Sequence, residues 1–196
     1  YGLALTLGGG EVRLFDLTSA YAALAASGEL ATPYAVTRVR DASGRMLYER
    51  APAPARRVLS PQHAYLIADI LSDPDARLLG FGQTSPFELP FPAAAKSGTT
   101  TNFRDDWTVG FTPEIAVGVW AGNADGSPTQ AVSGVEGAAP IWRDVMSAAA
   151  FGRRMTWPAR PSGLVERTVC APTGLLPGAH CPSPMRELFV AGTEPT

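Results

Sequence analysis

The chain has 196 residues, 45% of them hydrophobic and 17% charged, with a formal net charge of −2. That composition is globular and the length suffices to bury a core, while the near-neutral charge without a basic run excludes a nucleic-acid surface. No apolar run approaches the ~18 residues of a membrane span. His63 and His180 lie far apart and have no zinc-like spacing with the two cysteines, so neither a metal site nor a cofactor is expected.

The sequence opens on Tyr1 with no signal-peptide pattern, and reads as a piece of a longer polypeptide. Gly8-Gly9-Gly10 lacks both a preceding strand and a phosphate-binding motif, which leaves a flexible lead into a helix. From Glu11, favoured in a first turn by the helix dipole, Leu14, Leu17, Tyr21 and Leu24 recur at helical spacing, and Gly28 supplies the stop. Residues 35–40 and 45–49 alternate around the turn Asp41-Ala42-Ser43-Gly44, as in a hairpin. The proline-bearing stretch 51–55 is a connector. Ser60-Pro61 opens a second helix with Ala64, Ile67, Ala68 and Leu71 as its stripe, stopped or kinked at Asp73-Pro74. A long loop over 80–92 leads to a strand around Lys96. A turn over 102–106 precedes strands over 107–111 and 115–120, which complete an antiparallel meander. A helix over 138–151, with Ile141, Val145 and Ala149 on one face, could cover that sheet. The expected fold class is α+β, an antiparallel sheet covered by helices. From Gly152 prolines punctuate a small irregular β tail with alternating runs over 165–169 and 187–190. Cys170 and Cys181 lie inside it. A disulfide between them would close a loop of about a dozen residues, worth roughly 2–3 kcal/mol, whereas a reducing compartment would leave free thiols.

Lys96 is the only lysine in the chain. In the run Lys96-Ser97-Gly98-Thr99-Thr100 a lone ammonium stands beside hydroxyls and a glycine. On a strand Lys96 and Gly98 face one way, Ser97 and Thr99 the other. Such an edge can hold a carboxylate and offer backbone N–H to an oxyanion; equally, the lysine can simply guard an edge strand. Trp107, Trp120 and Trp142 are expected in the core, and Arg104-Asp105-Asp106 in a solvated or salt-bridged turn, the alternative being a structural role beside the Lys96 strand. Ser19, Ser60 and Ser147 have no base at readable spacing.

The run from Lys96 through Arg104-Asp105-Asp106-Trp107 and Val109-Gly110-Phe111-Thr112-Pro113 to Val117-Gly118-Val119-Trp120-Ala121-Gly122-Asn123 resembles the transpeptidase domain of class A penicillin-binding proteins, bifunctional peptidoglycan synthases of the penicillin-binding protein 1C kind and its relatives. The opening Tyr1–Val12, the Ala139-Pro140-Ile141-Trp142 segment and the cysteine tail are similar to the same family in the same order. The resemblance implies a partial penicillin-binding/β-lactamase-like fold over 1–151, followed by a proline-rich tail over 152–196. It implies a serine D,D-transpeptidase of peptidoglycan synthesis, part of a bifunctional glycosyltransferase at the extracytoplasmic face of the bacterial inner membrane, anchored only through an absent N-terminal segment. By the same resemblance Lys96 and Thr99 are catalytic. Lys96 supplies charge, the Thr99 N–H forms half of the oxyanion hole, and Ser97, Gly98, Thr99 and Thr100 bind a D-Ala-D-Ala stem peptide or a β-lactam.

The family's S-x-x-K and S-x-N motifs are missing. Ala93 stands three before Lys96, and Thr100 and Ala121 stand two before Asn102 and Asn123. The expectation is therefore a C-terminal fragment lacking the nucleophile, inactive alone, with the upstream half of the same domain as its partner. The other readings are a serine β-lactamase or D,D-carboxypeptidase relative, and a non-catalytic interaction module.

Overall fold

The computed structural model describes residues 2–81, 85–129 and 132–195. Its centre is an antiparallel sheet of three strands, β5 (Ala94–Thr99), β6 (Asp105–Thr112) and β7 (Ile115–Gly122), in the order β5-β6-β7. Helices α1 (Leu14–Ala25) and α2 (Pro61–Ser72) cover one face, and α4 (Ala138–Ala150) covers the other. The short α3 (Pro74–Phe81) follows α2 directly after the Asp73-Pro74 break. The expected loop over 80–92 falls partly outside the described residues.

Period-two alternation sorts the sheet's side chains between these layers. Ala94 and Phe111 join Ala68 of α2 and Tyr21 and Leu24 of α1 in one cluster. Ala95 and Val117 join Trp142 and Met146 of α4 in the other. Glycines set the interlayer distance: a Cβ at Gly110 would stand 2.5 Å from the Trp142 ring and 2.5 Å from the Ala94 carbonyl. At Gly28 (φ +91°) the chain leaves α1 by a left-handed turn, and its carbonyl accepts from the N–H of Val58 and Leu59.

Several expectations need correcting. Helix α1 begins at Leu14, not Glu11, and its first-turn acid is Asp16, paired with Arg13 at 2.6 Å. In α2 only the alanines of the expected stripe are buried. Ala64 and Ala68 are 1% exposed but Ile67 is 42% exposed, because the alanine-rich start of β5 admits a close small-residue face. In α4 the sheet-facing side is Ala139, Trp142, Met146 and Ala150, whereas Ile141 and Val145 point away. Both stripes have helical spacing, and the hollow over Gly110 selects the one bearing the tryptophan. Of the tryptophans expected in the core, Trp142 is fully buried, Trp107 half-buried and Trp120 exposed. Residues 2–7 form a 3₁₀ turn that no pattern signalled.

The hairpin β2 (Arg38–Arg40) and β3 (Met46–Glu49) forms around the Asp41–Gly44 turn, held by N–H donation from Ser43 and Arg45 to Asp41 Oδ1. Two further short strands, β1 (Glu29–Leu30) and β4 (Arg56–Arg57), pair beside it. Strands β8 (Leu164–Cys170) and β9 (Pro184–Val190) make a separate hairpin, with Gln62 of α2 donating to the Ser162 carbonyl at 2.8 Å. Cys170 and Cys181 are disulfide-bonded, with Cα atoms 5.8 Å apart. Because the bridge closes a loop outside the sheet, reduction should loosen that loop alone, at a cost of about 3 kcal/mol. Limited proteolysis with and without reductant should then show new cleavage within 171–180 and none within 94–122.

Candidate active site

Strand β5 is one of the sheet's two outer strands among the described residues, and Lys96, Ser97, Gly98 and Thr99 occupy its last four positions. Backbone pairing alternates along an antiparallel strand. The Thr100 N–H donates to the Asp105 carbonyl at 3.0 Å, and Gly98 and Lys96 continue that phase opposite Trp107 and Val109. Ala95, Ser97 and Thr99 therefore turn their N–H and C=O toward the unpaired edge. Lys96 lies on the α1/α2 face with Ala94, but its ammonium folds back to this edge and donates to the Ser97 carbonyl at 2.6 Å. It brings a full positive charge to the line of outward N–H groups.

Ser97 and Thr99 share the α4 face, as the alternation predicts. Ser97 is half-buried, and its hydroxyl has no hydrogen-bond partner among the described residues. The Thr99 hydroxyl accepts from the Gly134 N–H at 2.9 Å. Thr108, behind it on β6, donates its own hydroxyl to the Gly134 carbonyl at 3.2 Å. The 133–137 turn is thus pinned over the end of β5, so tightly that a Cβ at Gly134 would stand 2.5 Å from the Gly98 carbonyl. Gly98 itself is open: a Cβ there would meet only Trp107 Cβ, at 3.6 Å, an ordinary contact.

Thr100 turns inward to the β5–β6 connection, away from Ser97. Its hydroxyl donates to Asp105 Oδ2 and accepts from the Asp105 N–H, both at 2.9 Å. The other oxygen of Asp105 accepts from Trp120 Nε1 at 2.9 Å, which explains why that ring sits at the rim and not in the core. Asn102 and Phe103 follow at φ +63° and +51°, and the Phe103 carbonyl is gripped by the N–H and hydroxyl of Thr129, each at 2.7 Å.

The expectation of a solvated Arg104-Asp105-Asp106 turn is corrected here. Asp105 opens β6, and Asp106 is 1% exposed, its Oδ1 buried with no partner among the described residues. Burial pushes its carboxyl up from the ordinary value, and the nearby Asp105 and Glu136 carboxylates push it further. Sequence reasoning offered Asp106 a structural role beside this strand only as its second reading, and missed Thr108 and Gly134 as parts of the site. Extending the alternation of Val109 and Phe111 backward puts Asp106 and Thr108 together on the opposite face of the strand, but does not say what covers that face.

Among the described residues no group of His, Cys, Asp and Glu could hold a metal, and no helix is long and apolar enough to cross a membrane.

Helices on both faces of an antiparallel sheet make a mixed α/β fold, the one found in the penicillin-binding transpeptidases. Penicillin-binding protein 1A from Haemophilus influenzae has that fold and superposes on 98% of this chain with a TM-score of 0.83 at 24% identity, the chain covering 34% of that structure. Residues 4–147 match the penicillin binding protein transpeptidase domain, and residues 160–196 match the penicillin-binding protein 1A C-terminal domain. The chain belongs to the penicillin-binding protein transpeptidase family.

Penicillin-binding protein 2D of Bacillus subtilis is 35% identical over 98% of the chain. The structure of the PonA1 protein from Mycobacterium tuberculosis in complex with penicillin V aligns with 81% of the chain and 44% of its own length, at a TM-score of 0.66 and 27% identity. The chain spans about a quarter of its curated relatives, 28% of the Bacillus subtilis protein and 23% of penicillin-binding protein 1A of Clostridium tetani.

Proposed function

We propose that this chain forms the lysine-bearing wall of the active site in a serine D,D-transpeptidase, which cross-links peptidoglycan stem peptides at the outer face of the bacterial inner membrane and is acylated by β-lactams. The observation that carries the reading is the coincidence, on one unpaired strand edge, of the Lys96 ammonium with the outward N–H of Thr99. In acyl transfer the nucleophilic serine oxygen bonds to the carbonyl carbon of the penultimate D-Ala, and negative charge builds on the carbonyl oxygen. The tetrahedral intermediate then expels the terminal D-Ala, and an acceptor amine later displaces the serine. The Thr99 N–H supplies one of two donors to the transient oxyanion, a contribution of about 3–4 kcal/mol. The Ser97 hydroxyl, without a partner among the described residues, and that of Thr99, which among them only accepts, bind the terminal carboxylate, with Lys96 supplying charge. Gly98 keeps the edge bare for close substrate approach, since neither backbone conformation nor internal packing demands a glycine there. Thr100 serves from behind, fixing the turn that ends the strand.

The nucleophile comes from a part of the parent protein outside this chain, which contains no S-x-x-K motif. In-order matches to a transpeptidase domain and then to a penicillin-binding protein 1A tail support this reading over a β-lactamase or an interaction module. The test is covalent labelling of the full-length parent and of this chain by a fluorescent penicillin. The parent should label and the chain stay dark. A dark parent overturns the transpeptidase reading, and a labelled chain overturns the placement of the nucleophile.

A further inference from the structure

We propose that Asp106 is a positioning residue for Thr99, acting through the 133–137 turn that grips both the edge strand and its neighbour. Asp106 stands directly opposite Thr99 in the β5–β6 register. This is a non-hydrogen-bonded pair, in which facing side chains approach most closely. Oδ2 lies against the start of α4, where a Cβ at Gly137 would stand 2.6 Å from it, while Oδ1 is buried without a partner among the described residues. The turn over this carboxyl carries Gly134, whose N–H holds the Thr99 hydroxyl and whose carbonyl holds Thr108. The seating of Asp106 and the position of Thr99 therefore share one cover.

The charged groups acting on Asp106 are both acidic, Asp105 on its own strand and Glu136 on the turn above. The side chains of Thr99 on β5, Ala121 opposite it on β7, and Ala138, Ala139 and Pro140 in the first turn of α4 bring no charge, and the N-terminal end of α4 against Oδ2 brings only the partial positive charge of the helix dipole, which works the other way. A buried carboxylate with two like neighbours and no cation is costly, whereas the protonated carboxyl is tolerated. The carboxyl's ordinary value of 3.8 is accordingly raised, by burial first and then by Asp105 and Glu136. The sign follows from linkage. The seated form binds a proton that the released form gives up, so seating is strongest below the ordinary value. It weakens as pH climbs to the raised value and is constant beyond. Ionisation is relieved when the 133–137 turn lifts and water reaches the carboxylate, and that movement frees the Thr99 hydroxyl.

The catalytic consequence rests on Thr99 being an oxyanion and carboxylate donor, as proposed above; the movement of the turn does not. The experiment measures the acylation rate of the full-length protein by fluorescent penicillin for wild type, Asp106→Asn and Glu136→Gln, from about pH 3.5, below the carboxyl's ordinary value of 3.8, to about pH 9. Reading each variant as a ratio to wild type cancels the pH dependence of the chemistry. The Asp106→Asn ratio should rise with pH, by up to about tenfold for each unit by which the carboxyl is raised, and then level. Glu136→Gln, an exposed change that leaves the Asp106 carboxyl in place and keeps an amide oxygen to accept from the Ser133 N–H and hydroxyl as the carboxylate does, should give a smaller rise of the same sign, and it serves if Asp106→Asn misfolds. A ratio that is flat with pH, whether at one or displaced from it, overturns the proposal and leaves Asp106 a packing role only. Amide exchange at Gly134 gives a readout independent of acylation. Its protection should fall with pH more steeply in wild type than in Asp106→Asn; equal slopes overturn the proposal. If the parent is dark to penicillin at every pH, the transpeptidase reading fails and the exchange slopes alone decide the role of Asp106.

Discussion

Replacing Lys96 with alanine in the full-length protein should abolish fluorescent-penicillin labelling, with the acylation rate falling on the order of a thousandfold, while the melting temperature stays within error of wild type. The two halves of that outcome have separate causes. Lys96 is exposed, and its ammonium bonds to the adjacent Ser97 carbonyl, with no carboxylate partner among the described residues. Its removal breaks no buried contact and should change stability by less than about 0.5 kcal/mol. The chain contains no second lysine that could bring an ammonium to this edge in its place. Loss of a preorganised electrostatic group of this kind costs about two to three orders of magnitude in rate. Lys96→Arg should recover little: the guanidinium keeps the charge but presents it as a wider planar fork instead of the compact ammonium that folds back onto the Ser97 carbonyl. An alanine variant that still labels at the wild-type rate would reduce Lys96 to a guard on an exposed edge.

How far the sequence reveals this site depends on which neighbours a strand pattern can see. Alternation alone separates Lys96 and Gly98 from Ser97 and Thr99, and the β5–β6 register preserves that separation. Alternation says nothing about the direction of a long flexible side chain, so the return of the Lys96 ammonium to the Ser97 carbonyl was not readable. Thr100 belongs to the same run but turns into the β5–β6 connection because Asp105, five residues on, satisfies its hydroxyl twice. The stripes of α2 and α4 went astray for a related reason. Helical periodicity identifies candidate faces, and where two apolar stripes lie side by side the partner surface decides between them. Small alanines against β5 and a tryptophan over Gly110 are properties of the sheet, invisible in either helix taken alone. Asp106 was misjudged because an Asp-Asp pair beside an arginine normally lies in water. Its burial follows from the 133–137 turn, thirty residues away, which no local pattern connects to it.

The Gly110–Trp142 contact should be the most stability-sensitive point of the sheet. Trp142→Ala removes the largest fully buried side chain, which meets Phe87 edge-on at 6.0 Å, and leaves a cavity between α4 and β6. Such truncations cost about 3–5 kcal/mol. At about 2–4 °C per kcal/mol for a domain of this size, the melting temperature should fall by roughly 10 °C. Trp142→Phe should be far milder, because phenylalanine retains the aromatic contact and removes an indole Nε1 that is buried without a partner among the described residues. Gly110→Ala fails for the opposite reason, since its methyl group would overlap both the Trp142 ring and the Ala94 carbonyl at 2.5 Å. Overpacking of that kind costs about 1–3 kcal/mol. If the ring is what excludes the methyl, the double variant should be more stable than the sum of the single losses by about 0.5–3 kcal/mol. Strict additivity would instead assign the glycine requirement to the Ala94 carbonyl, making it a demand of the β5–β6 pairing itself. The thermal unfolding of the four proteins decides between them. In the first case α4 sets the height of the sheet beneath the edge strand; in the second the close approach of β5 to β6 is fixed within the sheet, and α4 merely fills the space above it.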